Sequence, residues 1–432
     1  MFNHSLKSFF VKGFVAICNL FFIFIITRNL SVVDASNFFL MHTILILLPI
    51  LIFHGLDYYI IRFAARYNEL REFDLLYLLY KNSIKRTLLI SVLSVIIIIT
   101  SYFLFTEYPL ESYKVLMILS VVPYSLLFLN LETGRAIGSY YQSPFLMGCI
   151  VPLMIILFWH LFSDKNFYSI NSLSITTFIV YFSLMFISFI WIAKKLQKLI
   201  KNNITNNFFS YDNKTLFNLF AVNGMQQILI YVPFLTVAVF GISSDLSSYY
   251  VSLRLSLIIT FFVQAINIVL APKLSSLFSK GEITSFKSYS KLSSLIGIIT
   301  SLPVYVIFLA FGSEILNLFG SSYRESFYIL IILSTAQFIN AGVGSVIYIL
   351  IMSGHEKILR NINLIIVMIC FFIAPILIQN YGSIGAAYLN TFIIIFVNFA
   401  SFLAIRAKLS FWVTPNLPLK IVKSLLLDTN KK

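Results

Sequence analysis

Twelve long apolar segments follow one another along this chain and constrain its fold more than any other feature. Each contains roughly 20 mostly apolar residues, the length at which a helix crosses the ~30 Å hydrocarbon core of a bilayer. Lipid offers no partner to backbone N–H and C=O groups, so such segments have to be helical. The predicted spans are 8–27, 37–61, 87–106, 115–131, 145–163, 173–193, 215–241, 246–271, 292–312, 326–352, 362–380 and 384–405.

The composition also indicates a chain embedded in lipid. Hydrophobic residues make up 59% of the 432 residues and charged residues 11%, whereas a soluble domain is about 25% charged. The loops between the spans are short and leave no room for a water-soluble domain. We therefore predict an all-α polytopic membrane protein with 12 transmembrane helices.

The Lys and Arg residues are divided unequally between the two sides that these spans define. If the spans alternate in direction, the side with both termini holds 25 of the 31 basic residues and the other side holds 4. Lys12 and Arg254 fall inside spans. Basic residues remain on the cytoplasmic face of a membrane, so both termini are predicted to be cytoplasmic. The net charge of +15 follows from this topology and does not require nucleic acid as a partner.

The longest internal polar break runs from Lys194 to Lys214 and divides the spans into two groups of six. This division predicts two six-helix lobes around a central cavity. We expect an N-terminal lobe at 1–200, a cytoplasmic linker at 201–214, a C-terminal lobe at 215–408 and a cytoplasmic tail at 409–432. The first apolar stretch is too long for the core of a signal peptide, and we expect it to remain as the first helix.

The two halves of the chain resemble each other weakly. The stretch IIRFAARYNEL (60–70) follows span 2, and LAPKLSSLFSKGE (270–282) follows span 8 about 210 positions later. Gly138 follows span 4, and Gly354 follows span 10 at an offset of 216. Two matches at nearly one offset predict a parallel repeat of six helices, an arrangement that places the substrate path between the lobes.

Several stretches resemble polysaccharide exporters of the multidrug/oligosaccharidyl-lipid/polysaccharide (MOP) superfamily. In order along the chain they are FHGLDYYIIRFAARYNE (53–69), YYVSLRLS (249–256), INIVLAPKLSSLFSKGE (266–282), LNLFGSSYRESFYIL (316–330), MSGHEKILRN (352–361) and YGSIGAAYLN (381–390). Their order and spacing are similar to those of the Wzx-type O-antigen and capsule flippases. The resemblance implies an inner-membrane transporter that moves an undecaprenyl-pyrophosphate-linked oligosaccharide to the periplasmic leaflet. It also implies polymerase and chain-length-regulator partners.

Two basic residues inside spans are the first candidates for substrate binding. A charged side chain at the centre of a span costs about 2.5–3.5 kcal/mol on insertion scales and usually faces a cavity or a partner. Arg254 lies too deep in span 8 to reach the headgroups, and its planar guanidinium matches the geometry of phosphate. Lys12 lies about one turn inside span 1, where snorkelling to the headgroups and lining a cavity are the two alternatives.

Further charged candidates lie at or beyond the cytoplasmic ends of spans 2 and 8. Arg62 and Arg66 share a helical face at positions i and i+4, where either membrane anchoring or substrate contact is open. Lys273 completes the basic candidates. Asp57 and His54 lie one turn apart inside span 2 and are candidates for coupling transport to H⁺ or Na⁺, since intramembrane carboxylates often relay protons.

Amide side chains form a polar stripe on span 7, and two further spans of the second half carry amides as well. Amides hydrogen-bond sugar hydroxyls in either sense, although they also join membrane helices to one another at about 0.6 kcal/mol per contact. Both interpretations stay open for each residue. The candidates are Asn223, Gln226 and Gln227 on span 7, Gln264 and Asn267 on span 8, and Gln337 and Asn340 on span 10.

No catalytic, metal or cofactor site is predicted. The chain contains no Walker A, HExxH or GxSxG motif, and the three cysteines have no CxxC spacing,. Glu132 and Arg135, at i and i+3 beyond span 4, are expected to pair with each other. Two alternatives to a flippase remain: a drug or cation exporter of the same superfamily, for which more intramembrane carboxylates are expected, and a polysaccharide polymerase, for which a larger outer loop is expected.

Overall fold

The computed structural model describes residues 2–105, 110–139, 142–162, 168–199 and 211–415. Within these ranges the chain is helical and contains no β-strand. The helices pack into two compact units, Phe14–Gln227 and Met1–Gly13 with Ile228–Lys432. The boundaries between the units fall inside two helices, the first helix and the helix that follows the polar break.

The N-terminal unit runs from α1, which enters it at Phe14, to α10, which leaves it at Gln227. Span 2 is divided into α2 and α3, span 4 into α5 and α6, and span 5 contains a π-helical turn at Leu146–Ile150. The helices are α1 Phe2–Asn29, α2 Val32–Phe53, α3 Leu56–Glu69, α4 Phe73–Phe105, α5 Ser112–Leu119, α6 Val121–Ala136, α7 Gln142–Phe145, α8 Val151–Phe162, α9 Ile170–Leu199 and α10 Asn213–Phe240.

The C-terminal unit begins inside α10 and contains six further helices. They are α11 Ser243–Ser256, α12 Ile258–Ser279, α13 Ile283–Phe319, α14 Phe327–Val343, α15 Val346–Met352 and α16 Glu356–Leu409, with a 3₁₀ turn at Ser321–Ser326. Span 8 bends by 40° between α11 and α12. Span 10 is interrupted between α14 and α15 at Gly344, where φ is +79°.

The number of membrane spans depends on the lengths of the helices and on a break at Gly382. Among the described residues, ten helices are long and apolar enough to cross a membrane, and the bent pair α11–α12 makes an eleventh span. Helix α16 has 54 residues and would measure roughly 80 Å if it were straight. It is broken at Gly382, where φ is 55° and ψ is −135°. Its two legs correspond to the predicted spans 11 and 12.

Matching turns recur in the two units at the offsets that the sequence suggested. Arg71 and Gly281, which are 210 positions apart, have φ of 60° and 73°, and Gly138 and Gly354 have φ of 102° and 77°. After each of these residues, the next amide donates to the carbonyl five positions earlier, at 2.9, 3.0, 2.9 and 2.8 Å. This is the hydrogen bond of a Schellman helix ending. A parallel repeat requires such recurrence.

The apolar cores of the two units are built from equivalent positions. Ile60 and Ala64 are buried in the core of the N-terminal unit. Leu270 and Leu274, each 210 positions later, are buried in the core of the C-terminal unit. In each unit the helix that precedes the Schellman turn presents the same face to its own core. Equivalent sequence positions are therefore buried in both units.

Candidate functional site

The bend in span 8 holds Arg254, which lies two residues before the end of α11. The side chain is half-buried. Its Nη2 donates a hydrogen bond of 3.0 Å to the hydroxyl of Tyr250, and Cζ lies 4.8 Å from the centre of the Tyr250 ring. Tyr231 of α10 also lies within hydrogen-bonding reach of the guanidinium. The Arg254 Nε is buried and has no hydrogen-bond partner among the described residues.

Among the described residues, two tyrosines rather than a carboxylate therefore surround this cation. A guanidinium carries five N–H donors, which is more than two phenolic oxygens satisfy. A buried donor without a partner costs about 1–3 kcal/mol, more when the group is charged. The arrangement holds the cation in place without neutralising it, which is what a site for an anion requires.

The other basic candidates are exposed. Lys12 follows the first turns of α1, and the next residue, Gly13, lies against the ring of Phe261 in α12. The Lys273 ammonium lies 5.7 Å from the centre of the Tyr289 ring. Arg62 and Arg66 are exposed on α3, and the Arg62 guanidinium lies 5.7 Å from the centre of the Phe63 ring. With these ring contacts in place, the charged ends of the side chains stay accessible to an anion.

The amide candidates divide into two groups. Asn267 and Gln337 are buried at 7% and 5% exposure and bind other side chains. Asn267 accepts a hydrogen bond from Ser345, and Gln337 accepts one of 3.4 Å from Asn340. Asn340 in turn accepts one of 2.9 Å from Asn398. These bonds join α12 to the start of α15, and α14 to the second leg of α16.

The remaining amides are more accessible. Gln264 on α12 is exposed, and Gln226 and Gln227 on α10 are half-buried. Gln226 and Gln227 belong to the N-terminal unit, and Gln264 belongs to the C-terminal unit together with Arg254. Asn223 lies on α10 with a side chain outside the described residues.

Span 2 is not the continuous helix that the sequence predicted, which changes the relation between His54 and Asp57. Helix α2 ends with His54 in the left-handed region at φ 49°, and α3 begins after Gly55 at φ 84°. The break arises because Gly55 lies against α10, where a Cβ would come within 2.3 Å of the Leu216 carbonyl oxygen. The expected i, i+3 alignment of the two side chains on one helix is therefore wrong.

The two residues have different surroundings. The His54 ring stacks on Phe220 with centres 4.4 Å apart. Asp57 is 8% exposed and lies in the first turn of α3, where the positive end of the helix dipole favours a carboxylate. The expected pair beyond span 4 is confirmed, with 3.4 Å between Arg135 Nη1 and Glu132 Oε2.

Three polar residues inside the membrane-spanning bundle were not among the candidates that the sequence suggested. Asn130 is fully buried and joins Tyr80 to Ser188 by two hydrogen bonds of 2.9 Å. Asn398 completes the network of Gln337 and Asn340. His42 lies halfway along α2 and lines a cavity. A polar residue within a predicted span was the available signal in each case.

Comparison with known proteins identifies the fold. No protein-family model matches the chain, and no curated protein matches its sequence. Solved structures do match. A MOP superfamily transporter from Pyrococcus furiosus, described by the reverse polarity of its binding pocket, has a TM-score of 0.68 at 12% identity over 94% of this chain and 95% of that chain. A mutant of the Vibrio cholerae MATE transporter VcmN has a TM-score of 0.62 at 14% identity over 94% and 97%.

A flippase is also similar in structure. The lipid II flippase MurJ, in an inward closed conformation, has a TM-score of 0.59 at 17% identity and covers 87% of this chain and 88% of its own. These likenesses extend over nearly the whole chain. The protein therefore has the all-helical, multi-pass fold of MOP superfamily transporters.

Proposed function

We propose that the protein is a flippase for a lipid-linked oligosaccharide. The cargo is an undecaprenyl-pyrophosphate-linked repeat unit of the O-antigen or capsule type. It moves from the cytoplasmic to the periplasmic leaflet of a bacterial inner membrane, with both termini of the protein cytoplasmic. The observation that carries this proposal is Arg254, a half-buried cation at a bend in a membrane span, held by two tyrosines.

The chemistry of the cargo explains why a protein is needed. Burying each sugar hydroxyl without a partner costs on the order of 2–7 kcal/mol, so an oligosaccharide cannot cross lipid spontaneously. The proposed path is a polar cavity that opens alternately to the two sides of the membrane, while the prenyl tail stays in lipid. Gln226, Gln227 and Gln264 are accessible amides that suit sugar hydroxyls.

The pyrophosphate accounts for the basic residues. A guanidinium donates two parallel hydrogen bonds to phosphate oxygens, and Arg254 has more donors than its two tyrosines satisfy. Lys12, Arg62, Arg66 and Lys273 are exposed cations that assist capture. Moving two negative charges outward across an inside-negative membrane is favourable by roughly 2 × 2.3 kcal/mol per 100 mV, so the membrane potential favours export.

Both halves of the chain resemble Wzx-type exporters, and the fold is similar to that of a lipid II flippase. These two likenesses support a lipid-linked cargo. A drug or cation exporter of the same superfamily is the competing assignment. It would place a carboxylate rather than a guanidinium in the path of its cargo. By the same resemblance, a polymerase and a chain-length regulator would use the translocated product.

The proposal is tested by deleting the gene and scoring surface polysaccharide after complementation. Arg254→Ala and Arg254→Lys are compared with Arg324→Ala, a control that removes an exposed arginine of the 3₁₀ turn. We expect Arg254→Ala to abolish surface polysaccharide at normal membrane levels, Arg254→Lys to restore part of it, and Arg324→Ala to behave as wild type. Full polysaccharide in Arg254→Ala, or restoration of drug resistance instead, would refute the assignment.

A further inference from the structure

The chain that follows α16 packs against the C-terminal unit. Ser410, in the left-handed region at φ 57°, ends the helix, and its amide donates to the Arg406 carbonyl oxygen at 3.1 Å. The next side chains alternate in burial: Phe411 and Val413 are 6% and 2% exposed, whereas Trp412 between them is 40% exposed. We call residues 411–413 the aromatic strap. Because both neighbours of Trp412 are buried, its indole is held on the outer side of the strap.

The buried side of the strap is fixed by three helices. Phe411 and Val413 belong to one apolar core with Leu274 of α12, Phe286 of α13 and Ile349 of α15. The Phe411 and Phe286 rings meet edge to face with centres 6.3 Å apart. Removing these apolar side chains from water favours the docked position of the strap. The strap is therefore a fixed part of this unit, although it forms no regular secondary structure.

Two cations lie against the rings of the aromatic strap. The Arg406 Cζ is 5.4 Å from the centre of the Trp412 ring, and the Lys287 Nζ is 5.6 Å from the centre of the Phe411 ring. The Trp412 ring also packs on Phe402, with centres 4.9 Å apart. No carboxylate of the described residues lies within ion-pair distance of Arg406 or Lys287. A ring face attracts a cation without cancelling its charge, so both charges remain available to an anion.

The position of the strap favours a lipid headgroup over a soluble anion. The strap directly follows the second leg of α16, which is the predicted span 12, and so lies at a membrane surface. Tryptophan is enriched at such surfaces. In the predicted orientation this surface is cytoplasmic, where anionic lipids attract basic side chains. A second of the three tryptophans, Trp191 near the end of α9, also lies under a cation, with the Lys195 Nζ 5.4 Å from its ring centre.

We propose that the aromatic strap, together with Arg406 and Lys287, is a binding site for an anionic phospholipid of the bilayer. The Arg406 guanidinium donates hydrogen bonds to the headgroup phosphate. The Trp412 indole lies beside the glycerol and the first carbons of the acyl chains, and the Lys287 ammonium adds to the attraction from the α13 side. The bound lipid links α13 to the end of α16. This site is separate from the cations assigned to the cargo, and it does not depend on the proposed flippase function.

The site is located with a photoreactive phosphatidylglycerol. The full-length protein is crosslinked to this probe in detergent without any cargo, and labelled peptides are identified by mass spectrometry. We expect labelling at the aromatic strap that is displaced by unlabelled phosphatidylglycerol and not by phosphatidylethanolamine, whose headgroup is zwitterionic. No labelling at the strap, or equal displacement by the two lipids, would overturn the proposal.

Charge and ring are then removed separately. Arg406→Gln combined with Lys287→Gln should weaken phosphatidylglycerol binding at the strap about 10-fold. The matched control is Lys280→Gln with Lys357→Gln, which removes two exposed lysines of the same unit and should bind as wild type. Equal losses in the two double variants would show that net charge alone acts, and would overturn the site.

Trp412→Leu should also weaken binding, whereas Phe399→Leu, which removes an exposed ring of α16, should not. Arg406→Lys keeps the charge and should retain most of the binding. Melting temperatures in lipid-free detergent identify any variant that fails to fold. Wild-type labelling in Trp412→Leu would overturn the role of the strap.

The proposed cargo is also an anionic lipid, so the two sources are compared directly. Undecaprenyl pyrophosphate is added as a competitor of the photoreactive phosphatidylglycerol. We expect it to displace the probe from the strap no better than unlabelled phosphatidylglycerol does at the same concentration. Much stronger displacement would assign the strap to the cargo and overturn the proposal. Arg254→Ala should label at the strap as wild type does, so the phospholipid site and the flippase assignment are tested independently.

Discussion

The Arg254 guanidinium and the Tyr250 side chain, one helical turn apart on α11, make two contacts at once. A hydrogen bond of 3.0 Å joins Nη2 to the phenolic oxygen, and Cζ lies 4.8 Å from the ring centre. The tyrosine therefore fixes the orientation of the cation without cancelling its charge. We infer that Tyr250 positions Arg254 for the anionic group of the proposed cargo.

Tyr250→Phe should weaken flipping while leaving the fold intact. The ring contact persists, but the hydrogen bond to a charged group is lost, and such bonds contribute about 1.5–3 kcal/mol. We expect the flipping rate at low cargo concentration to fall roughly 10-fold, as 1.4 kcal/mol corresponds to a factor of ten. Tyr305→Phe, which removes a bond of 3.0 Å to Thr335 in the same unit, is the control. Equal rates for the two variants would contradict a positioning role.

Gly55→Ala should destabilise the protein strongly, and Gly281→Ala only weakly. Both glycines have positive φ, at 84° and 73°, and a left-handed alanine costs roughly 1–2 kcal/mol. At Gly55 the added Cβ also falls 2.3 Å from the Leu216 carbonyl oxygen, whereas nothing lies within 4 Å at Gly281. At the turn equivalent to that of Gly281, Arg71 already has φ 60°.

The comparison is made by thermal unfolding in detergent. Gly55→Ala should lower the melting temperature several times more than Gly281→Ala. Similar melting temperatures would show that α3 moves away from α10 at little cost, and that the break in span 2 is not held by this contact.

Asn130 should couple energetically to Tyr80. The amide is fully buried, accepts a hydrogen bond of 2.9 Å from the Tyr80 hydroxyl and donates one of 2.9 Å to Ser188. Interhelical hydrogen bonds in membranes average about 0.6 kcal/mol and reach about 1.7 kcal/mol. A double-mutant cycle with Asn130→Ala and Tyr80→Phe, measured by unfolding, should give a coupling energy in this range. Additive effects would mean that the bond contributes nothing.

Asp212 should make stability depend on pH in the acid range. The carboxylate caps α10 and accepts hydrogen bonds from Thr215 Oγ1, Thr215 N and Lys214 N at 2.5, 3.3 and 3.1 Å. These bonds, that of the Thr215 side chain foremost, lower the pKa of Asp212 below its ordinary value. A lowered folded-state pKa gives stability that is present above the unfolded pKa of about 3.9 and is lost as the pH falls through the folded value.

Asp212→Ala should therefore melt at a lower temperature than wild type at pH 6, and the difference should shrink below about pH 4. Thr215→Val, which removes the strongest donor, should reproduce part of the loss. A difference in melting temperature that is constant between pH 6 and pH 3 would show that the capping bonds do not act through the charge.

Much of the fold was predictable because a segment that crosses a bilayer has to be apolar and helical. Runs of apolar residues determine which segments form membrane-spanning helices, and the clustering of Lys and Arg predicts their orientation. The turns at Arg71 and Gly281 were predictable from the matching stretches around them. The Glu132–Arg135 pair followed from helical spacing alone, since positions i and i+3 are neighbours on any helix.

The candidate site was less predictable. Asn267, Gln337 and Gln264 are all amides within predicted spans. Asn267 and Gln337 nevertheless form internal hydrogen bonds, whereas Gln264 is exposed. Which side of a helix meets another helix depends on crossing geometry between distant segments, and a single span does not encode it. The same limit applies to His42, which lines a cavity together with side chains from four other helices.

The sequence by itself determined the membrane-spanning class and the presence of an arginine within a predicted span, and it predicted an orientation, because each depends on local composition or spacing. Only the tertiary structure decided that span 2 breaks at Gly55, that Arg254 is held by Tyr250 and Tyr231, and that Gly382 divides α16 into two legs. These features arise where backbones from distant parts of the chain approach closely or where side chains from different helices meet. Their energies therefore depend on contacts that exist only after the helices have packed.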